Sequence, residues 1–274
     1  MNLFRAAPLL LWLAAPLAGA EPLPLWEIGF GLGAVDIPHY RGSNQSRTWV
    51  LPVPYLVYRG EVLKFDDRRY RGLFFNTDKV ELEFSINGSP PVRDNDARRG
   101  MPNLEATLEI GPSLNLSLFR SEDGLEKVEL RLPARAVIAS DFSHFRNAGW
   151  IFQPNLNLDL RDVLGNRGWN LGLQGGLIYA NRRYNQYFYA VDPIFATPDR
   201  PAFSPSGGFG GTALLAAVSK RFPNFWVGGF VKWDSVGGAM FADSPLVKTR
   251  SNLSGGLAIA WILGASSARV EAEN

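Results

Sequence analysis

Apolar and polar residues alternate one for one along most of this chain, and that period limits the fold more than any other feature. In 80–87, Val80, Leu82, Phe84 and Ile86 alternate with Glu81, Glu83, Ser85 and Asn87. Over 104–119 the even positions Leu104, Ala106, Leu108, Ile110, Leu114, Leu116 and Leu118 are apolar. The same pattern returns at Leu156, Leu158 and Leu160, at Trp26, Ile28, Phe30 and Leu32, and at Leu253, Leu257, Ile259, Trp261 and Leu263. A two-residue period describes strands with one apolar and one polar face. No segment shows a sustained helical period, so no substantial helix is expected after the first twenty residues.

Several of these strands run past ten residues, longer than is usual in a soluble sandwich. Their connections differ in kind. Short turns fall at 59–60, 76–78, 121–124, 162–167 and 223–224, and long polar loops at 36–47, 88–103, 192–208 and 241–250. Short turns at one end and long loops at the other predict an antiparallel transmembrane β-barrel of outer-membrane type. Counting gives twelve strands, near 26–35, 48–58, 61–66, 70–76, 79–87, 104–119, 125–141, 148–161, 168–191, 209–222, 225–240 and 251–263. Merging the short third and fourth leaves ten as the alternative. Trp26, Trp49, Trp150, Trp169 and Trp226 each fall near the start of a strand, as expected of interface aromatics at headgroup level. With the leucines facing lipid, Glu81, Glu83, Glu105, Glu109, Glu129, Arg131, Asp159 and Arg161 face the interior. Both signs of charge there suit a salt-bridged lumen as well as a wet one.

Residues 1–20 read as a cleaved signal peptide, with Arg5 before a short apolar core and Ala18-Gly19-Ala20 at the cleavage site. Residues 21–274 form the barrel, with 264–274 as a short polar tail. No apolar run after residue 20 reaches the length of about 20 that a membrane helix needs.

The chain has no Cys and two His, which removes thiolate chemistry and leaves little for a metal site. A formal net charge of +2 over 274 residues gives no electrostatic case for nucleic acid. Asp141-Phe142-Ser143-His144 is the nearest approach to a hydrolytic group. Adjacent Ser and His on one strand point to opposite faces, however, so a polar turn is the expected role. His39 reads as an exposed loop residue. The glycines of 207–211 lack the helix and Lys of a phosphate loop and suit barrel curvature or aromatic packing. Arg68-Arg69, Arg98-Arg99 and Arg182-Arg183 mark loops, as solvated ends or contacts to lipid phosphate. No catalytic, cofactor or metal residues are expected.

Four short motifs carry a resemblance. Pro38-His39-Tyr40-Arg41-Gly42-Ser43 follows the first strand, and Leu51-Pro52-Val53-Pro54 lies in the second. Tyr187-Phe188-Tyr189 closes the ninth, and Ala242-Asp243-Ser244-Pro245-Leu246-Val247 precedes the last. Their order and spacing resemble the MipA/OmpV family of Gram-negative outer-membrane proteins, the MltA-interacting proteins. The resemblance implies a non-enzymatic barrel in the outer membrane, surrounded by its lipid. It further implies a scaffold between a murein hydrolase of the lytic transglycosylase class and a penicillin-binding synthase; an adhesin and a small porin are the alternatives. The polar tail after Leu263 departs from outer-membrane barrels that end on an aromatic residue.

Overall fold

The computed structural model describes residues 23–59, 63–66, 69–77, 79–141, 143–163 and 168–270. Residues 1–20, expected to be a signal peptide, together with Phe142, Arg68 and residues 271–274 of the tail, lie outside them. Twelve long or short strands lie among the described residues: β1 (Trp26–Pro38), β2 (Ser46–Arg59), β3 (Leu63–Asp66), β4 (Arg69–Asn76), β5 (Val80–Ser89) and β6 (Ala106–Arg120). β7 (Glu126–Ser140), β8 (Phe145–Phe152, resuming at Asn155–Leu160), β9 (Trp169–Ala180), β10 (Gly208–Arg221), β11 (Phe225–Ser235) and β12 (Ser251–Ala265) complete the set. All pairings are antiparallel and cyclic: each strand pairs with the next, and β12 pairs with β1. The narrowest link is β2 to β3, carried by Tyr58↔Phe65 and Arg59↔Lys64. Beyond the ring, Leu23–Pro24 pairs with Arg269–Val270, so part of the predicted tail folds back beside the start of the barrel.

The outer face is apolar. On β1, Trp26, Ile28, Phe30 and Leu32 are exposed while Glu27 is buried. On β9 the outward row runs Trp169, Leu171, Leu173, Gly175, Leu177, Tyr179, with an aromatic residue at each end. That row spans ~33 Å along the strand, or ~25 Å of barrel height at a tilt of about 40°, the height of a lipid-facing band. Trp150, Trp233 and Trp261 are also exposed on the outer face.

Two predicted interface tryptophans do not join this belt. Trp226 shares the inward row of β11 with Lys232 and Asp234, and its ring packs on Tyr55 and Ala260 inside the short-turn end. Glycine at 228 leaves room for that ring, since a Cβ there would meet its Cζ2 at 2.4 Å. Trp49 pairs with Val35 on the inward row and lies under the Arg47 guanidinium at 4.7 Å. In both cases strand parity, not distance from the strand end, decides which way the ring points.

Three element boundaries also differ from the sequence reading. The ninth strand stops at Ala180, and Arg182–Tyr189 form a helix, α1, where strand and no helix were expected. Asn181 caps it, its side chain accepting from Tyr184 N at 3.0 Å. The buried residues Tyr184, Asn185, Phe188 and Tyr189 have the i, i+4 spacing of one helical face. Pro154 interrupts β8, since it offers no N–H to the ladder. The eleventh strand ends at Ser235 rather than near 240, and the last long loop begins there.

Charged residues line the inside in pairs. Arg131 joins Glu129 and, at 3.0 Å, Asp159, while Lys127 also reaches Glu129. Arg135 donates through Nε to Glu109 at 3.0 Å and through Nη1 to Ser85 at 3.0 Å. Arg221 Nε donates to Glu27 at 2.9 Å. Such pairing offsets part of the desolvation cost of each buried charge. The inward placement of Glu83, Glu109, Glu129 and Arg131 is as alternation predicts; all four are buried.

Candidate functional site: a loop cap over one end of the barrel

The larger apolar core lies at the long-loop end. Along the inward row of β7 the side chains change from Glu129, Arg131 and Arg135 to Val137 and Ala139, which are fully buried. Ala148 and Ile151 of β8 and Ile178 and Ala180 of β9 continue this apolar collar. Tyr184, Phe188 and Tyr189 of α1 pack into the same cluster with Val92 and Leu104 of the 90–105 loop and Phe241 and Leu246 of the 236–250 loop. Tyr189 and Phe241 stack with ring centroids 3.6 Å apart, and Tyr40 meets Tyr189 edge-on at 6.0 Å. The long loops therefore fold onto one another and onto the upper inner wall.

Why α1 sits so close to the wall is visible at Gly149, whose φ is +107°. A Cβ there would lie 2.6 Å from Tyr184 N and 2.3 Å from Asn181 Oδ1. Only glycine accepts both that backbone and that approach.

Three of the four sequence motifs meet in this cap. Tyr40 donates from its hydroxyl to Leu246 O at 2.8 Å. Gly42 N donates to Asn252 Oδ1 at 2.6 Å, Asn252 Nδ2 returns a bond to Ser43 O at 2.7 Å, and Lys248 N donates to Gly42 O at 2.7 Å. Ser244 Oγ donates to Tyr189 O at 2.7 Å, and Tyr189 Oη to Arg41 O at 3.0 Å. Phe188 O accepts from Arg98 Nη1 at 2.9 Å, and Tyr187 Oη accepts from Glu105 N at 2.9 Å. Pro38 ends β1 at the loop's entry, and Pro245 is half-buried beside Leu246.

The remaining motif residues are elsewhere. Pro52 and Pro54 lie exposed on the wall opposite Leu32 and Phe30. Their missing N–H groups fall on the side of β2 away from β1, where a proline costs the ladder nothing. Asp243 is exposed and pairs with Arg250 at 3.3 Å.

Residues outside the motifs tie the cap together. Asn95 is buried: Nδ2 contacts His39 Nδ1 at 3.0 Å and Ser43 Oγ at 3.2 Å, and Oδ1 lies 3.4 Å from Tyr40 Oη, whose one proton goes to Leu246 O. Arg200 Nη1 donates to Ala97 O at 3.1 Å and Arg99 O at 2.8 Å, joining two loops. Arg41 reaches down to the wall, its Nη2 donating to Gly210 O at 2.8 Å and its Nε ion-paired with Asp234 at 3.3 Å. These were not found in the sequence, because each is a polar loop residue whose partner is distant in the chain. One signal was available: the uninterrupted apolar runs 136–139 and 177–180 mark strands covered on both faces.

Burial sets the ionisation of this cap. The Tyr40 phenol is pushed up to about 12 by desolvation, against the nearby Arg98 charge. The Tyr184 and Tyr189 phenols are also raised by burial. His39 is lowered, by burial first and by the Arg47 charge second, with Asp94 opposing. His39 is thus a partly buried member of the cap and not a free surface residue.

The Asp141–His144 segment is a turn at the rim. Asp141 Oδ1 accepts from Ser143 N at 2.9 Å and His144 N at 2.8 Å, and those bonds hold its carboxyl below the usual range. The His144 ring is exposed and lies 3.6 Å from Asp141 Oδ2, so both neighbours are engaged with Asp141 in a turn. Among the described residues there is no group of three or more His, Asp or Glu placed to hold a metal.

An apolar exterior bounded by aromatics, a paired-charge interior and short turns at one end define an outer-membrane β-barrel protein with its long loops packed over one mouth. The chain belongs to the MipA family, described as MltA-interacting protein MipA, which it matches over residues 30–263. Among solved structures it is similar to the NanC porin, at 9% identity and a TM-score of 0.39, over 86% of this chain and 100% of that one. Comparison with curated proteins gives no match.

Proposed function

We propose that this protein is a non-enzymatic outer-membrane scaffold for peptidoglycan-remodelling enzymes, a lytic transglycosylase and a penicillin-binding synthase. The family's description, an MltA-interacting protein, supports a murein enzyme as partner. The observation that carries the reading is the cap itself. Loop residues that would line a solute path in a channel are engaged with one another, through Tyr40–Leu246 and Tyr189–Arg41, and with the wall, through Arg41–Asp234. Charges on the inner wall are likewise engaged in pairs. A barrel so filled suits presentation of a surface better than conduction.

In this reading the short turns face the periplasm, as they do in outer-membrane barrels generally. The 121–125 turn, the Pro223-Asn224 turn and the Leu23–Pro24 pair with Arg269–Val270 then form the surface nearest murein. The test is photocrosslinking in living cells from single positions at Glu122 and Asn224. Capture of a lytic transglycosylase or a penicillin-binding synthase from these turns, and not from Asp243 at the other end, is the expected result. Capture of neither enzyme from any short turn overturns the scaffold role.

A further inference from the structure

The outer wall carries a shallow, open apolar trough of about 490 Å³ across β7, β8, β9, β10 and β11. Leu156, Leu173, Leu214, Val231 and Trp233 form its sides. Its floor is where two outward rows lose their bulk side by side: Ala216 stands between Leu214 and Val218, and Gly175 between Leu173 and Leu177, with Leu214 Cδ2 leaning toward Gly175 to within 3.0 Å of where a Cβ would lie. Register puts Gly175 opposite Leu214 and Leu173 opposite Ala216, so the two small residues are diagonal neighbours.

The same outward row of β10 ends in a cation. Lys220 lies toward the short-turn end, opposite Trp169, with its ammonium 5.5 Å from the Trp169 ring and 5.2 Å from the Phe222 ring. Cation and aromatic rings together are the arrangement found at headgroup level, where a lysine offers donors to phosphate. From Ala216 to Lys220 is ~13 Å along the strand. That separation is the reach from a phospholipid's phosphate to the middle of its acyl chain.

We propose that this face holds one phospholipid of the leaflet on the short-turn side, its phosphate at Lys220 and one acyl chain in the trough over Gly175 and Ala216. The trough lies in the lipid-facing band, and the cation in line with it selects a phosphate-bearing amphiphile over a bare hydrocarbon surface. The position of Lys220 favours a glycerophospholipid over lipid A, whose phosphates belong at the long-loop end.

Native mass spectrometry of the full folded chain, titrated with phosphatidylglycerol or with lipid A, tests this. The wild type should retain one phosphatidylglycerol under activation that strips detergent. Lys220→Gln and Ala216→Phe should each lower that occupancy at least fivefold. Leu257→Phe, on the exposed face of β12, should leave it unchanged. Heat-shifted gel mobility verifies that each variant is folded. The proposal is overturned if there is no retained lipid, if all three variants lose it equally, if lipid A is preferred, or if a two-chain species excludes lipid.

Discussion

The Arg41 guanidinium, carried by the first long loop, is ion-paired at 3.3 Å with Asp234 on the inner wall of β11. Asp234 is buried and also meets Lys232 at 2.9 Å, while Arg41 donates to Gly210 O. One residue thus fastens a loop to two strands from inside the barrel. Lys232 stays beside Asp234, so Arg41→Met should cost less than the ~3–5 kcal/mol of a fully broken buried pair. The expected outcome is trypsin cleavage after Arg47 in the folded barrel, with the heat-shifted gel band retained; wild type should resist.

Arg131 makes the corresponding bond lower in the lumen. It serves Glu129 and Asp159 together, so Arg131→Met removes a cation shared by two carboxylates, of which Asp159 keeps the Asn157 amide at 2.7 Å. Urea unfolding into lipid vesicles should show a loss of about 3–5 kcal/mol. Lys127 remains beside Glu129 and will hold the loss toward the lower figure.

Within the cap, single hydroxyls hold motif to motif. Tyr40→Phe leaves Leu246 O without its 2.8 Å donor, and Ser244→Ala leaves Tyr189 O without its 2.7 Å donor. Each should lower the free energy of local opening by about 1–3 kcal/mol, read as faster amide exchange in 40–47 and 242–249. Pro52→Ala, on the outer wall, should leave both segments unchanged.

Acid should loosen the same region through His39. Its pKa is depressed in the folded chain, so the neutral ring is the form that the cap favours. That contribution is complete above the ordinary imidazole range and is lost as pH falls through the lowered value. Protection factors in the 39–45 and 92–101 segments should fall from pH 7.5 to 5 in the wild type. In His39→Asn they should change little over that interval.

Much of the barrel is legible in the sequence because a wall with lipid on one face and paired charge on the other must alternate. Leu82 with Glu83, and Leu130 with Arg131, state the inside and the outside in adjacent letters. Twelve strands follow from counting such runs, and the short β3 and β4 prove to be separate members of the ring. The cap is less legible. Tyr184, Phe188 and Tyr189 in a Tyr- and Phe-rich segment satisfy strand alternation as readily as a helical face. Asn181 as a cap and Gly149 beneath it decide the matter through contacts across the fold. Trp226 shows the same limit on the wall, since a tryptophan near a strand end is compatible with either face. The motif around Tyr40, Gly42 and Ser43 stands far in the chain from Phe188 and from Ser244, and only the folded loops bring the three together.

We infer that the cap, with the paired charges beneath it, closes the lumen to ions. Planar-bilayer recording of the purified, folded chain tests it most directly. The wild type should insert without stepwise conductance, while a variant lacking residues 182–206 and carrying Asp234→Ala should open in discrete steps. Stable single-channel steps from the wild type at neutral pH would contradict the account and make the protein a porin.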